Sequence, residues 1–433
     1  MTYADWIAVL GFVAMFGLMA LRVPIGIAMG VVGVFGFGAI RGMTPAFNLL
    51  TTSPVRTVTD YNLSLVPFFV LMGVFATNSG ISRELFRAGN AWLGQFRGGL
   101  SLSTVAACAG FASICGSSVA TAATMTRIAL PEMRKVGYHD ATSTGVIAAG
   151  GTLGILIPPS VVMVVYAYLT ETDVGRLFIA GIIPGILATL MYMATVVIAH
   201  RKGLPAGKKF DMREALLSLI PIWAVVVLFV AIVGAIYLGI ATPTEAAAVG
   251  AFLTMLIGIA RRRLNAQTIL LSLVEALRTS VAIFTVLIGA VLFGYFLAIT
   301  QAPQKLTMFM IGMDLGAYGT LVLILIMFFI AGALMDEMAM IILFVPIIFP
   351  VIIHLGFDPI WFGIILVTSC QLGMICPPVG INVFVINSIA KDVKLTTIYG
   401  GVMPFIVADV IRMALMVIFP AIILWLPMTM RAQ

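Results

Sequence analysis

Two pairs of adjacent prolines, Pro158-Pro159 and Pro377-Pro378, interrupt long apolar segments, and the chain's best scope for chemistry lies there. Proline has no N–H to give to the carbonyl four residues back. The first pair therefore frees the carbonyls of Gly154 and Ile155, and the second those of Gly373 and Met374. An unpaired carbonyl in hydrocarbon costs several kcal/mol, so such breaks persist only where protein, water or a bound cation meets the oxygen. Inward-facing carbonyl oxygens are hard ligands suited to Na+. Beyond each break a half-helix begins, and its free N–H groups carry about half a positive charge, which suits an anion. The anion-facing candidates are Pro159 and Ser160 at the first break, and Pro378, Gly380 and Asn382 at the second.

Two further apolar stretches, 100–131 and 318–353, are too long for one crossing and carry polar interruptions, CGSSVATAAT (Cys115 to Thr124) and MDEMAM (Met335 to Met340). Each fits a helical hairpin that enters the membrane and returns to the same side. At the first tip Ser117 and Ser118 supply hydroxyls, and Gly116 lets backbone approach closely. At the second, Asp336 and Glu337 are placed to hold a cation or to bond the tip backbone.

The elements that must position these groups follow from composition. The chain has 433 residues, 62% apolar and 9% charged, where soluble domains carry about 25% charged residues. Its mean hydropathy is +1.16. Apolar runs long enough to cross about 30 Å of hydrocarbon occur near 5–22, 24–42, 62–79, 143–170, 176–200, 219–238, 242–260, 278–300, 360–390 and 400–427. The chain thus reads as an all-α polytopic membrane protein.

With the two hairpins re-entrant, one side collects Arg22, Arg83, Arg87, Arg97, Arg134, Lys135, Arg201, Lys202, Lys208, Lys209, Arg213, Arg261 to Arg263, Arg278, Lys391 and Lys394. The other receives only Arg41, Arg56, Arg176, Lys305 and Arg431. The first side is then the cytoplasm, and both termini are expected to fall outside. The net charge of +7 is a topology signal and not a nucleic-acid footprint. The start, MTYADWIAVLGF, lacks a basic n-region, so no cleavable signal is expected. The longest outside loops are expected at 43–61 and 301–317.

Other chemistry finds little support. Cys108, Cys115, Cys370 and Cys376 lie in apolar segments without CxxC spacing, and His139, His200 and His354 are scattered. No transition-metal site, cofactor or catalytic constellation is expected, and there is no GxxxxGK[ST] loop for an ATP-driven motor. The run Gly26 to Gly38 reads as a close-packing helix face. Asp409 and Arg412, three apart, read as an intramembrane ion pair of structural role, and Arg127 as snorkelling to the cytoplasmic interface.

Laid on itself so that Pro158 falls on Pro377, the chain repeats. LGILIPP (153–159) meets LGMICPP (372–378), Pro131 meets Pro350, Gly137 meets Gly356, Ser117 meets Asp336, and Asp173-Val174 meets Asp392-Val393. The crossings between the copies leave the second starting from the opposite side, so the repeats are inverted, as in secondary transporters with a midplane site. The expected division is 1–61 scaffold helices, 62–200 first repeat, 201–277 scaffold helices with basic loops, and 278–433 second repeat.

The segments 115–125, 150–167, ATPTEAAAVGA (241–251), 332–350 and 371–385 together resemble the large membrane subunit of tripartite ATP-independent periplasmic (TRAP) transporters, over essentially the whole chain. The resemblance implies a Na+-coupled elevator-type transporter that receives its substrate from a soluble periplasmic binding protein. It also implies a small four-helix membrane subunit, expected as a separate polypeptide, and mostly carboxylate substrates: C4-dicarboxylates, 2-oxo acids, sugar acids or sialic acids. By motif, a first Na+ site would use Ser117, Ser118, Gly150, Thr152, Gly154 and Pro158. A second would use Asp336, Thr368, Gln371, Gly373 and Pro377. A self-sufficient ion-coupled carboxylate carrier remains the alternative, followed by a channel or structural membrane subunit.

Overall fold

A bilayer leaves an open chain only one way to satisfy its own backbone, the helix, and every regular element among the described residues is helical. The computed structural model describes residues 3–199 and 205–430; His200, Arg201, Lys202 and Arg431 lie outside them. The first half comprises α1 (Tyr3–Ala20), α2 (Ile25–Arg41), α3 (Met43–Val58), α4 (Leu65–Asn78), α5 (Ile81–Leu93), α6 (Gly99–Cys115), α7 (Ser118–Lys135), α8 (Asp140–Leu156), α9 (Val161–Thr170) and α10 (Val174–Ala199). The second comprises α11 (Met212–Tyr237), α12 (Pro243–Ala260), α13 (Ala266–Thr300), α14 (Ala302–Gly312), α15 (Gly316–Leu334), α16 (Glu337–His354), α17 (Pro359–Ile375), α18 (Ile381–Ile389), α19 (Leu395–Ile418) and α20 (Ala421–Met428). Among them 8 are long and apolar enough to cross a membrane, or up to 10 when bent pairs count as single spans.

The repeat governs where helices start and stop. Thr152 and Gln371 are 219 residues apart, and at this same shift α7 and α16 coincide at both ends, as do α8 and α17. The helices α6 and α15 end together, and so do α10 and α19. The register also runs upstream, since α2 and α12 end at equivalent residues. Packing between the halves is reciprocal: α2 lies against α13, and α12 against α4. Glycine makes the first contact possible, because a Cβ on Gly26 would lie 2.7 Å from the carbonyl oxygen of Thr285, and one on Gly33 would lie 2.6 Å from Leu292 backbone. The run at Gly26 to Gly38 is thus a close-packing face.

Local chemistry explains the hairpins. Gly116 takes the left-handed conformation (φ 61°) that closes α6. Ser117 then caps α7, its Oγ accepting from the Ala120 N–H at 3.3 Å. At the equivalent place Asp336 caps α16, accepting from the Ala339 N–H at 2.9 Å. The Pro-Pro pairs stop α8 and α17, and both proline–proline bonds are cis.

Three expectations differ. The stretches 43–61 and 301–317 are not plain loops: they hold α3 and α14, and α14 occupies in the second half the place of α5 in the first. The α3–α4 pair bends by 60° at its break, whereas α13 runs on unbroken over the equivalent residues. The last apolar run divides at Phe419-Pro420, because Pro420 has no N–H to continue α19. The broken helices form the centre, since α8 from Thr142 to Leu156 and α17 from Trp361 to Ile375 are wholly buried. Large exposed apolar side chains such as Trp223, Val226 and Leu277 lie on α11 and α13, a surface suited to lipid.

Candidate transport site

Each hairpin tip rests on the proline break of its own repeat. A Cβ on Gly154 would lie 2.6 Å from the Ser117 carbonyl oxygen and 2.9 Å from the Ser118 nitrogen, while one on Gly116 would meet the Pro159 carbonyl oxygen at 2.6 Å. In the second repeat a Cβ on Gly373 would lie 2.5 Å from the Gly332 carbonyl carbon, and the Val379 N–H donates to the Ala333 carbonyl at 3.3 Å. Only glycine permits backbone to meet backbone this closely. The structure therefore brings Ser117, Ser118, Gly154, Pro158, Pro159 and Ser160 together, and gathers Gly373, Pro377 and Pro378 at the second hairpin.

The proline-freed carbonyls are partly satisfied by the chain itself. Ser160 Oγ donates to the Ile155 carbonyl at 2.7 Å, and the Cys376 N–H donates to the Gly373 carbonyl at 3.2 Å. The phenol of Tyr399 donates toward the carbonyls of Pro378 and Val379, at 2.9 and 2.7 Å. Since a carbonyl has two lone pairs, each keeps capacity for a further partner. Gly380 (φ 58°) starts α18 from the left-handed region.

Other candidate residues seal elements together. Asn382 Nδ2 donates to Ser118 Oγ at 2.8 Å and to the Ala148 carbonyl at 3.2 Å, tying α18 of the second repeat to α7 and α8 of the first. Gln371 Nε2 donates to the Thr152 carbonyl at 2.8 Å, so equivalent positions of the two repeats touch. Thr368 Oγ1 donates back to the Ile364 carbonyl at 2.9 Å. A Cβ on Gly150 would lie 2.8 Å from Cys108 Sγ, which marks the close approach of α8 to α6.

A cavity of about 420 Å³ opens beside the first tip, lined among others by Ser117, Thr124, Arg127, Glu275, Thr279 and Glu337. A second cleft of about 400 Å³ shares Thr77, Thr124 and Arg127 with it and adds Arg83, Arg87 and Arg263. Arg127 is therefore not simply an interface anchor. Its spacing from Ala120, Ala123 and Thr124 puts it on the cavity face of α7, a signal already present in the hairpin sequence. Glu275 and Thr279 were missed because the apolar span is expected to begin only at 278, which leaves Glu275 in the preceding basic loop, whereas α13 is already helical from Ala266. A larger cavity, about 740 Å³, is lined by Asp60, Glu171 and Asp173 and by none of the tip residues.

The double use of Ser117 gives a prediction. Ser117→Ala removes both a helix cap, costing about 1 kcal/mol, and a hydroxyl from the cavity, whereas Ser117→Asn keeps a capping side chain. Uptake normalised to protein in the membrane should fall strongly in both variants. Normal uptake in Ser117→Ala would remove Ser117 from the site, and recovery in Ser117→Asn would reduce its role to capping.

Two repeats, each with a hairpin tip seated on a Pro-Pro-broken helix, define a membrane transporter fold. The chain belongs to the family described as the tripartite ATP-independent periplasmic transporter, DctM component, which it matches over residues 12–422. It is 37% identical over 398 residues to the C4-dicarboxylate TRAP transporter large permease protein DctM of Pseudomonas aeruginosa, covering 89% of this chain and 93% of that one. It is 33% identical over 428 residues to the isethionate TRAP transporter permease protein DctMQ of Oleidesulfovibrio alaskensis, covering 97% of this chain and 66% of that one. Among solved structures, the YdaH transporter of Alcanivorax borkumensis shares the fold with a TM-score of 0.62 at 14% identity, over 88% of this chain and 89% of that one.

Proposed function

We propose that this chain is the permease through which a Na+ gradient drives import of a small organic anion handed over by a soluble periplasmic binding protein. The observation that carries the reading is the pair of hairpin tips seated on the two carbonyl-rich breaks, one of them beside a cavity that holds Arg127. Backbone oxygens at the breaks offer hard ligands for Na+, and the guanidinium of Arg127 offers a fork for a carboxylate or sulfonate. The relatives named for C4-dicarboxylate and isethionate carry such groups. Two breaks imply at least two Na+ ions per cycle, and a dicarboxylate then requires a third for net inward positive charge. Each such charge gains about 2.3 kcal/mol per 100 mV of membrane potential.

The arginine-lined cleft beside the cavity belongs to the side that carries the excess of basic residues, so in the bacterial inner membrane it faces the cytoplasm and both termini are periplasmic. In the elevator reading, the hairpins and broken helices move as a unit against α2, α4, α12 and α13. A small four-helix membrane subunit completes this scaffold. The alternative, a self-sufficient carrier, makes a different prediction. With both membrane subunits reconstituted and Na+ outside, labelled ligand should enter only when loaded on the binding protein. Equal rates with free ligand would reject the handover and favour the self-sufficient carrier.

A further inference from the structure

Five fully buried side chains close a ring at the centre of the molecule. Thr152 Oγ1 lies 3.2 Å from the Tyr192 phenol, which donates to Asp409 Oδ2 at 2.7 Å. Asp409 Oδ1 and Arg412 Nη2 form an ion pair at 2.9 Å without a hydrogen bond, and Arg412 Nη2 donates to Gln371 Oε1 at 2.6 Å. Gln371 Nε2 returns to the Thr152 carbonyl at 2.8 Å. The ring links α8, α10, α19 and α17, so it belongs to both repeats.

Stability does not account for it. Replacing a buried ion pair by well-packed apolar groups is often neutral or favourable, and here Arg412 Nε and Nη1 have no hydrogen-bond partner in a site closed to water. Nor does the helix require these residues. The equivalent positions in the first repeat are Leu190 and Met193, and α10 forms and ends in the same register as α19. What the ring does hold is one contact, between Gln371 and Thr152. These two positions are equivalent under the repeat, so a single hydrogen bond touches both proline-broken helices at the same depth. Gln371 has its oxygen on Arg412 and its nitrogen on Thr152, and any shift of one broken helix is passed through that amide to the other.

We propose that Asp409, Arg412 and Tyr192 are positioning residues that couple the two cation sites, fixing Gln371 so that Na+ at one break favours Na+ at the other. The inference rests on the Na+ reading above. A cation that draws the Thr152 carbonyl toward itself weakens its bond from Gln371, and the amide, still held by Arg412, transmits the change to α17 two residues before Gly373. Thr152 Oγ1 gives a second route, because its proton has two acceptors, the Ala149 carbonyl at 2.7 Å and the Tyr192 phenol.

The test is equilibrium binding of radiolabelled Na+ to the purified chain in nanodiscs, in choline chloride at constant ionic strength, with no cargo present. The wild type should bind with a sigmoidal curve. Tyr192→Phe opens the ring while keeping the edge contact of this ring with Phe405. It should flatten the curve toward a simple hyperbola and weaken half-saturation about fivefold, the lower end of common coupling strengths. Asp409→Asn with Arg412→Gln, which removes both charges together, should do the same. A change in packing alone would lower the number of sites or the unfolding temperature without altering the slope. A wild-type slope retained in both variants overturns the proposal, as does a wild type that binds two ions independently. A wild type that binds no Na+ at all sinks the underlying transport reading instead.

Discussion

Alanine at Gly154 or at Gly373 should reduce transport to background. The added methyl would meet the Ser117 carbonyl oxygen at 2.6 Å in one case and the Gly332 carbonyl carbon at 2.5 Å in the other. Both obstacles are backbone, so neither can rotate away, and the hairpin tip must lift from its break. Overpacking of this kind costs about 1–3 kcal/mol, enough to shift the tip from the geometry that a cation site needs. A methyl on Gly234 of α11 meets nothing within 4 Å, and Gly234→Ala should stabilise its helix by up to about 1 kcal/mol. Uptake normalised to membrane-embedded protein, together with thermal unfolding in detergent, separates the cases. Wild-type uptake in both tip variants would show that the seating of tip on break is irrelevant to transport.

Arg412→Met should be the most destabilising single change in the buried centre, because it strands the Asp409 carboxylate without its counter-charge. Breaking a buried pair from one side costs about 3–5 kcal/mol. Tyr192 would remain as a donor to Asp409, but a phenol does not neutralise a carboxylate. Combining Arg412→Met with Asp409→Leu removes the stranded charge and should recover most of the loss. Thermal midpoints in detergent decide this, and a double variant no more stable than Arg412→Met would show that the pair is not held as a charge pair.

Much of this architecture was legible because it is written twice. The LGxxxPP motif and the polar tips recur in register, and helix ends follow proline, glycine and capping residues whose effects are local. That is why α7, α8, α16 and α17 begin and end near their expected places. The sequence was less informative where a segment's identity depends on what it packs against. The stretch at Met43–Val58 mixes Thr, Ser and Pro with apolar residues and reads as a loop, yet its helix α3 packs on α2 and α13.

The site shows the same division. Residues at the tips and breaks were found because backbone chemistry marks them, and the structure seats each tip on its own break. Asn382 was found because it follows the second break, and Gln371 through the family motif, but their partners, Ser118, Ala148, Thr152 and Arg412, lie in distant parts of the chain. No spacing rule connects Tyr192 to Asp409, which are 217 residues apart. Only the packing of α10 against α19 does so. Asp409 and Arg412 were legible as a pair from their spacing, but not as part of a ring that spans both repeats.

The central claim is that a Na+ gradient, and not the membrane potential alone, drives the ligand inward through this chain. Proteoliposomes holding the chain and its small membrane partner can be supplied outside with the loaded binding protein and given an inside-negative potential of fixed size. With Na+ outside and choline inside, the ligand should accumulate above its external concentration. With choline on both sides at the same potential, accumulation should fall to that of liposomes without the chain. Equal accumulation in the two conditions would contradict the account.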